Sequence, residues 1–372
     1  MSKRVLILGG RGRIGSSVAL DLLRHTEASI TITSRTAQGG TSWLPLDRNV
    51  VANRVETLHL DLADRERLKA AIAQSTLVIH CAGPFHYRDQ QVLNDCIEQG
   101  VPYLDVSDNV SFTRKVLSCG ATAERAGITA IVNTGIFPGI SNSMVRQGVE
   151  QFDSPTEIHL SYVVSGSGGA GLTVMRTTFL GLMQPFPAWL GGKWKSIQPY
   201  SDRQPIALPP PYGTAHVYWY EMPETFTLAE SFPVHTVITK FGSIPDFYNH
   251  LTWIAAHLLP KSWIQHPSGT EFLSRVSYAM TKVSDRISGI GVGIRAEVTG
   301  QKDGRTRRYD LTLVHENTAI AAGYGTGSIA QLILAGKLHK PGVWTADQAL
   351  PTDLFEQTMG DRGLTIQQGW GE

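Results

Sequence analysis

A glycine-rich turn near the N-terminus contains the first residues whose types and spacing could do chemistry. An apolar run at residues 5–8 leads directly into Gly-Gly-Arg-Gly-Arg-Ile-Gly at residues 9–15, which satisfies the pattern G-x-G-x-x-G. Glycines so spaced permit a sharp turn, a close approach of the backbone to a pyrophosphate, and phosphate binding at the N-terminus of the following helix. Because the pattern stands between a predicted strand and a predicted helix, it favours a dinucleotide site over an ordinary tight turn. The residues predicted to contact the cofactor here are Gly10, Gly12, Arg13, Ile14 and Gly15.

The end of the second predicted strand bears on the choice between NAD and NADP. NAD-binding folds usually carry a carboxylate there, ~20 residues beyond the glycines, to hold the ribose 2′-OH. Residues 29–36 contain no carboxylate, and Arg35 stands where a 2′-phosphate would lie, between the hydroxyls of Ser34 and Thr36. A guanidinium group forks onto phosphate oxygens, so these residues predict NADP(H) in preference to NAD(H). The alternative is a solvated surface arginine.

Two further turns follow predicted strands and are expected at the same edge of the sheet. Asp61 can reach the adenine or can cap the next helix. In the turn at residues 81–85, Ala82 and Gly83 would let the backbone lie along the cofactor, while Pro84 and Phe85 would wall the nicotinamide side. Ligands of such sheets bind beyond the carboxyl ends of the strands, which is where these turns belong.

Reduction of a polar bond needs a proton donor as well as a hydride. His86 and Tyr87 follow the last of these turns and, with Asp108, are the candidates for that donor. Each of them can also be a structural or surface residue.

Other chemistries find less support. The 12 histidines form no HExxH and no pairing with cysteine, so no metal site is predicted. Tyr278 and Lys282 match Tyr-x-x-x-Lys but lie far beyond the predicted dinucleotide-binding domain. Residues 165–169 are not a nucleophile elbow, because residue 165 is serine. Residues 323–327, Gly-Tyr-Gly-Thr-Gly, are expected to form a turn that starts a helix before Ser328, with an anion site as the alternative.

The elements that must position these residues fall into two patterns. Up to about residue 135, short apolar strands alternate with amphipathic helices, which indicates an α/β fold: a doubly wound parallel sheet of Rossmann type. From about residue 155 the charge density falls, and strand-like pieces alternate with Pro-rich and Gly-rich links. This part predicts a second, α+β domain with a mixed or antiparallel sheet, in which Asp303-Gly304 marks a hairpin turn.

Composition limits the partners and the compartment. Lys and Arg total 33 against 32 Asp and Glu, so the net charge of +1 gives no electrostatic footprint for nucleic acid or an anionic membrane. Three cysteines without a CxxC indicate a reducing compartment, the cytoplasm. The first apolar run is too short for a secretory signal, and no stretch approaches the ~18–20 apolar residues of a membrane-spanning helix.

Four segments together resemble one family, the saccharopine dehydrogenase-like oxidoreductases: residues 9–15, 81–85, 96–108 and 133–142. The resemblance implies a Rossmann domain at 1–150, a substrate and dimerisation domain at 151–325, and a C-terminal segment at 326–372 that returns to the first domain. It also implies that the turns at 82–85, 105–108 and 137–139 line the cofactor cleft. The chain departs from the family pattern at Phe137, where many relatives have Asp, and at Arg88-Asp89, where many have Tyr-Gly.

The predicted function is that of an NADPH-dependent reductase acting on a C=N or activated C=C bond of a small, apolar substrate. Saccharopine itself would need several arginines, and residues 155–270 contain only Arg176 and Arg203. The apolar segments 179–183, 186–190 and 247–264 are either a substrate pocket or a core with a homodimer interface. An NADP(H)-binding sensor or scaffold without turnover is the alternative function, and a hydrophobic surface that docks on membranes is a third possibility.

Overall fold

The computed structural model describes residues 3–35, 53–168 and 172–371. The chain divides into two compact units, one formed by Met1–Ile140 with Ala319–Arg362 and the other by Ser141–Thr318 with Gly363–Glu372. The expected domain limits assign all of 326–372 to the first domain. The structure gives residues 363–372 to the second unit, because the last strand pairs there.

The first unit contains a seven-stranded parallel sheet with strand order β15-β6-β5-β4-β1-β2-β3. The strands β1, β4 and β6 are apolar and almost fully buried, as expected for a sheet covered on both faces. The predicted Rossmann-type sheet is therefore confirmed. Its strands are β1 (Arg4–Leu8), β2 (Ser29–Ser34), β3 (Val55–His59), β4 (Leu77–His80), β5 (Tyr103–Asp105), β6 (Thr129–Val132) and β15 (Gly342–Thr345).

The helices of this unit begin at side-chain caps in two cases. Asp64 caps α2 by accepting from the Arg67 N–H, and Asn109 caps α4 by accepting from the Phe112 N–H. The helices are α1 (Arg13–His25), α2 (Arg65–Ala73), α3 (Gln91–Gln99), α4 (Val110–Leu117), α5 (Gly120–Arg125), α12 (Thr318–Leu334), α13 (Ala346–Ala349) and α14 (Thr352–Gly360).

Residues 323–327 lie in the interior of α12, so the expectation of a helix-starting turn there is wrong. Glycine is required because α12 packs closely on α1. A Cβ at Gly323 would lie 2.8 Å from Ser17, and one at Gly327 would collide with the carboxylate of Asp21. Packing outweighs the low helix propensity of these glycines.

The second unit is built on a mixed sheet with strand order β10-β11-β12-β7-β13-β14-β16, to which β8 and β9 are attached. β7 and β12 run parallel, while β13 and β14 form the predicted hairpin at Asp303-Gly304, where both residues have positive φ. The strands are β7 (Ser154–Ser165), β8 (Phe186–Trp189), β9 (Trp194–Ile197), β10 (Gln204–Leu208), β11 (Gly213–Trp219), β12 (Thr236–Ile244), β13 (Gly291–Lys302), β14 (Arg305–His315) and β16 (Gln367–Trp370). The prediction of a second, α+β domain with a mixed sheet is confirmed.

The apolar segments of this unit have different fates. Phe179, Leu182 and Phe186 are buried, as the core alternative predicts for the first two segments. Residues 247–264 instead carry several exposed apolar side chains. The helices are α6 (Ile140–Val149), α7 (Leu172–Leu180), α8 (Glu224–Ser231), α9 (Phe247–His257), α10 (Lys261–Gln265) and α11 (Pro267–Ser288). Over the described ranges, neither unit has a helix with the length and apolar character needed to cross a membrane.

Candidate cofactor site

The glycine turn carries the chain from β1 into α1 at the carboxyl edge of the parallel sheet. The N–H of Gly10 donates to the carbonyl oxygen of Ile7 at 3.2 Å, and that of Gly12 donates to the carbonyl oxygen of Gly9 at 2.9 Å. Helix α1 then begins at Arg13, with the Ser16 N–H donating to the Gly12 carbonyl oxygen at 2.8 Å. The predicted residues 10–15 therefore lie together on one tight turn and the first helical turn after it.

Three glycines of this turn are required by the packing of the protein itself. Gly9 has φ +73°, and a Cβ there would lie 2.9 Å from the Cα of Ala82. A Cβ at Gly10 would lie 2.7 Å from Ile32, and one at Gly15 would lie 2.5 Å from the carbonyl oxygen of Gly9. None of these contacts is compatible with a side chain.

Gly12 is different, and its environment suits a ligand. Its backbone, at φ −69° and ψ 163°, is open to any residue, and it is exposed. A Cβ there would meet only the carbonyl oxygen of Gly9, at 3.2 Å, among the described atoms within 4 Å. Gly12 also gives α1 no side-chain cap, and the first N–H groups of any helix have no intrahelical acceptor. The missing side chain thus leaves room for a group such as pyrophosphate at the helix N-terminus.

Arg35 follows β2 and is exposed, as predicted, beside Ser34, the last residue of that strand. Its carbonyl oxygen lies 2.9 Å from Nε2 of His59 at the end of β3, which anchors the backbone here. Thr36, the third predicted residue of this group, lies outside the described residues.

A second arginine, which the sequence reasoning left out of the cofactor site, lies close to Arg35. Nε of Arg88 donates to the carbonyl oxygen of Ala82 at 2.9 Å, so the half-buried guanidinium is held against the turn after β4. Its pKa is lowered, first by burial and then by the positive charge of Arg35, while Asp61 opposes the shift. The structure therefore gathers Arg35, Arg88 and Asp61 from three different loops. In the sequence, the signals for Arg88 are its position just after the turn at residues 81–85, near the expected reaction site, and its departure from the family pattern.

Asp61 does not cap the next helix, which was one of its two predicted roles. Asp64 is the N-cap residue of α2, while Oδ1 of Asp61 accepts from the N–H of Ala63 at 2.9 Å. The carboxylate of Asp61 is exposed beyond the end of β3. The other predicted role, a contact with the adenosine part of a cofactor, stays a prediction.

The turn after β4 divides into an accessible part and a core residue. Ala82, Gly83 and Pro84 are half-buried, whereas Phe85 is 5% exposed. The ring of Phe85 packs with its centroid 5.0 Å from that of His80 and 4.9 Å from that of Phe112. The side chain of Phe85 therefore serves the core, and only the first three residues are accessible enough to wall a ligand.

The three candidate proton donors differ in environment. His86 and Tyr87 stand on an exposed 3-10 turn, where Tyr87 is 63% exposed. Asp108, beyond the end of β5, is half-buried, and desolvation raises the pKa of its carboxyl group to about 6. Burial thus brings the carboxyl pKa of Asp108 towards the neutral range in which a general acid works.

A buried polar network that the sequence reasoning missed fixes the loop that carries Asp108. Oδ1 of Asp105 accepts from the N–H groups of Ser107 and Asn133 at 3.0 and 2.9 Å. Nδ2 of Asn133, whose φ is +58°, donates to the carbonyl oxygen of Ser107 at 2.8 Å. Burial raises the pKa of Asp105 to about 6 and lowers that of His80 to about 3. In the sequence, the only signal for this network was the family resemblance of residues 96–108 and 133–142.

No group of three or more metal-ligating side chains occurs in the part of the chain that the structure describes. The carboxyl edge of the sheet thus carries the uncapped helix N-terminus at Gly12, the arginines Arg35 and Arg88, and the half-buried carboxyl group of Asp108. A parallel sheet with these features at its carboxyl edge defines a Rossmann dinucleotide-binding domain.

Comparisons with known proteins extend this assignment. Residues 5–131 match the family model described as saccharopine dehydrogenase NADP binding domain. The chain is 24% identical to carboxyaminopropylagmatine dehydrogenase of Synechocystis over 97% of its own length and 96% of that protein. It is 30% identical to the human saccharopine dehydrogenase-like oxidoreductase over 69 residues, which are 18% of this chain and only 16% of the human protein.

A solved structure gives the same fold over nearly the whole chain. An engineered D-amino acid dehydrogenase bound to NADP⁺ matches with a TM-score of 0.50 at 15% identity, covering 95% of this chain and 96% of that one. The chain is thus similar to the saccharopine dehydrogenase-like oxidoreductases, with residues 5–131 matching their NADP-binding domain, and the family resemblance of its motifs is confirmed.

Proposed function

We propose that the protein is an NADPH-dependent reductase that reduces a C=N or activated C=C bond of a small, apolar substrate. The observation that carries the proposal is the uncapped helix N-terminus at the exposed Gly12, within a domain that matches the NADP-binding family model. The name of the Synechocystis relative, a dehydrogenase that aligns along almost its whole length, supports the redox class.

Two arginines, Arg35 and Arg88, support the preference for NADP(H) over NAD(H). Arg35 takes the place of the carboxylate that would hold a free 2′-OH and repel a phosphate. Arg88 lies close enough to Arg35 for the two positive charges to disfavour each other, and a bound phosphate would relieve that repulsion.

The expected roles of the site residues follow from their chemistry. A bound nicotinamide supplies or accepts the hydride. Gly10, Gly12 and the first turn of α1 hold the pyrophosphate, and Ala82 to Pro84 border the reactive end. Asp108, whose carboxyl pKa is raised to about 6, delivers the proton of its neutral form to the nitrogen or carbon that the hydride leaves basic.

The apolar substrate is supported by the lack of unengaged arginines in residues 155–270. Arg176 forms an ion pair with Glu271 at 2.7 Å, and Arg203 pairs with Asp246 at 2.9 Å. A substrate with several carboxylates would have to break these pairs, which disfavours such substrates.

Cofactor preference is tested by measuring the Kd of NADPH and of NADH for the wild type and for Arg35→Ala. We expect the variant to bind NADPH at least tenfold more weakly, a loss of about 1.4 kcal/mol, and NADH almost as before. An unchanged Kd for NADPH would remove Arg35 from the site.

Turnover is tested by following the absorbance of NADPH while imines and activated alkenes are added to the protein. Substrate-dependent oxidation of NADPH supports the reductase. Tight NADPH binding with no turnover on any imine or alkene would favour the sensor or scaffold instead.

We also propose that the protein acts in the cytoplasm as a homodimer. The three cysteines are free thiols, as a reducing compartment would keep them. The second sheet has two edge strands, β10 and β16, and the edge of a sheet is where a strand of a second copy can pair. Native mass measurement of the purified chain checks the assembly: a mass of two chains supports the dimer and a mass of one contradicts it.

A further inference from the structure

Helices α9, α10 and α11 carry an unusual concentration of exposed apolar side chains. Eight of the ten large apolar side chains that are exposed in the described residues lie between positions 247 and 283. They include Leu258 at 66%, Val283 at 64% and Phe272 at 57% exposure. Patches of this kind on soluble proteins mark interaction sites.

The apolar side chains are arranged as a surface rather than as scattered residues. On α11, Phe272, Val276, Ala279 and Val283 are all exposed and recur at the spacing of one helix face. Trp263 of α10 packs against Phe272, with ring centroids 6.0 Å apart. We name the exposed side chains of residues 247–286 the aromatic face.

The exposed charged residues of the aromatic face all carry positive charge. They are Lys261, Lys282 and Arg286, together with Arg275, which is paired with the partly buried Glu271, and no acidic residue is exposed within the aromatic face. The two acidic residues of these helices are both engaged in ion pairs or hydrogen bonds. Glu271 binds Arg176 and Arg275, which lower its pKa to about 2, and Asp285 accepts from the N–H and hydroxyl of Ser167.

We propose that the aromatic face docks the protein on an anionic lipid surface. Tryptophan, phenylalanine and aliphatic side chains next to lysine and arginine are the composition of helices that lie in a bilayer interface. Each basic residue near an anionic surface contributes about 1 kcal/mol of attraction. A second copy fits less well, because a two-fold interface would bring the same cationic surface against itself. The net charge of +1 gives no sign of this local positive charge, because the net charge is summed over the whole chain.

The test is co-sedimentation of the full chain with two kinds of vesicle. One is phosphatidylcholine alone, and the other contains about 30% of the anionic lipid phosphatidylserine. We expect the bound fraction to be at least fivefold greater on the anionic vesicles and to fall with added salt. Phe272→Asp/Val283→Asp and Lys282→Glu/Arg286→Glu each reduce it at least fivefold. Because these side chains are exposed, the thermal unfolding midpoint of both variants stays near that of the wild type.

The matched control is Lys115→Glu/Lys337→Glu, which makes the same charge change at two exposed lysines of the first unit. It retains vesicle binding. The proposal is overturned if the wild type binds neither kind of vesicle, or if the control loses binding as fully as Lys282→Glu/Arg286→Glu. It is also overturned if light scattering gives a dimer that Phe272→Asp/Val283→Asp dissociates while vesicle binding is unchanged.

Discussion

At the scale of single residues, Gly12 is the glycine of the turn that we assign to ligand binding rather than to folding. Gly9, Gly10 and Gly15 are demanded by close contacts inside the protein, whereas Gly12 has a permissive backbone and a Cβ there would meet one atom alone among the described residues, the Gly9 carbonyl oxygen at 3.2 Å. The pattern G-x-G-x-x-G predicted all of these glycines except Gly9, because their chemistry depends on local spacing. It could not separate their roles, which depend on Ile32 and Ala82, residues far away in the sequence.

We predict that Gly12→Ala weakens NADPH binding at least tenfold while changing the free energy of unfolding by less than about 1 kcal/mol. The added methyl group occupies the space beside the helix N-terminus but strains little of the protein. Gly360→Ala, at a glycine with nothing within 4 Å of its virtual Cβ, is the matched control and leaves both quantities unchanged. A Gly12→Ala protein with wild-type affinity would show that the cofactor does not lie there.

Asp108 gives the proposed reaction a pH dependence. Its carboxyl pKa of about 6 lies above the ordinary value, so the proton is lost as the pH rises through 6. We predict that kcat/KM for reduction falls tenfold per pH unit above that point, because only the protonated carboxyl group can donate. Asp108→Asn lowers kcat at least a hundredfold and abolishes this limb, while the Kd of NADPH stays the same. A falling limb that persists in Asp108→Asn would assign the proton to another group.

At the scale of elements, the C-terminal part of the first unit is joined to α1 by one buried ion pair. Arg362, just after α14, donates to both carboxylate oxygens of Asp21, at 2.9 and 2.6 Å. Burial raises the pKa of Asp21 even though Arg362 opposes the shift. Apolar strands made the parallel sheet predictable from sequence. This pairing and the glycine contacts of α12 were not, because they join residues from opposite ends of the chain.

We predict that Arg362→Ala destabilises the protein by about 3–5 kcal/mol, since it leaves the buried carboxylate of Asp21 without its partner. Glu98→Gln breaks an exposed ion pair with Lys69 in the same unit and costs no more than about 1 kcal/mol. Urea unfolding followed by circular dichroism measures both. Equal losses for the two variants would contradict the importance of the buried pair.

At the scale of the whole molecule, the sequence pattern predicted the class of protein but not its surfaces. The alternation of apolar strands with amphipathic helices indicated an α/β protein, and the family motifs identified its relatives. The near-zero net charge argued against an anionic membrane, yet the aromatic face concentrates exposed basic residues on three helices. An average over the sequence cannot show how the fold distributes charge. Arg88 was placed near the reaction site but not assigned to the cofactor for a similar reason, because its closeness to Arg35 arises only when separate loops meet.

The claim that the protein binds NADP(H) in preference to NAD(H) is tested most directly by calorimetry. NADPH and NADH are titrated separately into the purified full chain. We predict saturable binding of NADPH that is at least tenfold tighter than that of NADH, which is a difference in binding free energy of about 1.4 kcal/mol or more. Failure of both nucleotides to bind at concentrations on the order of 1 mM, which corresponds to less than about 4 kcal/mol of binding free energy, would contradict it.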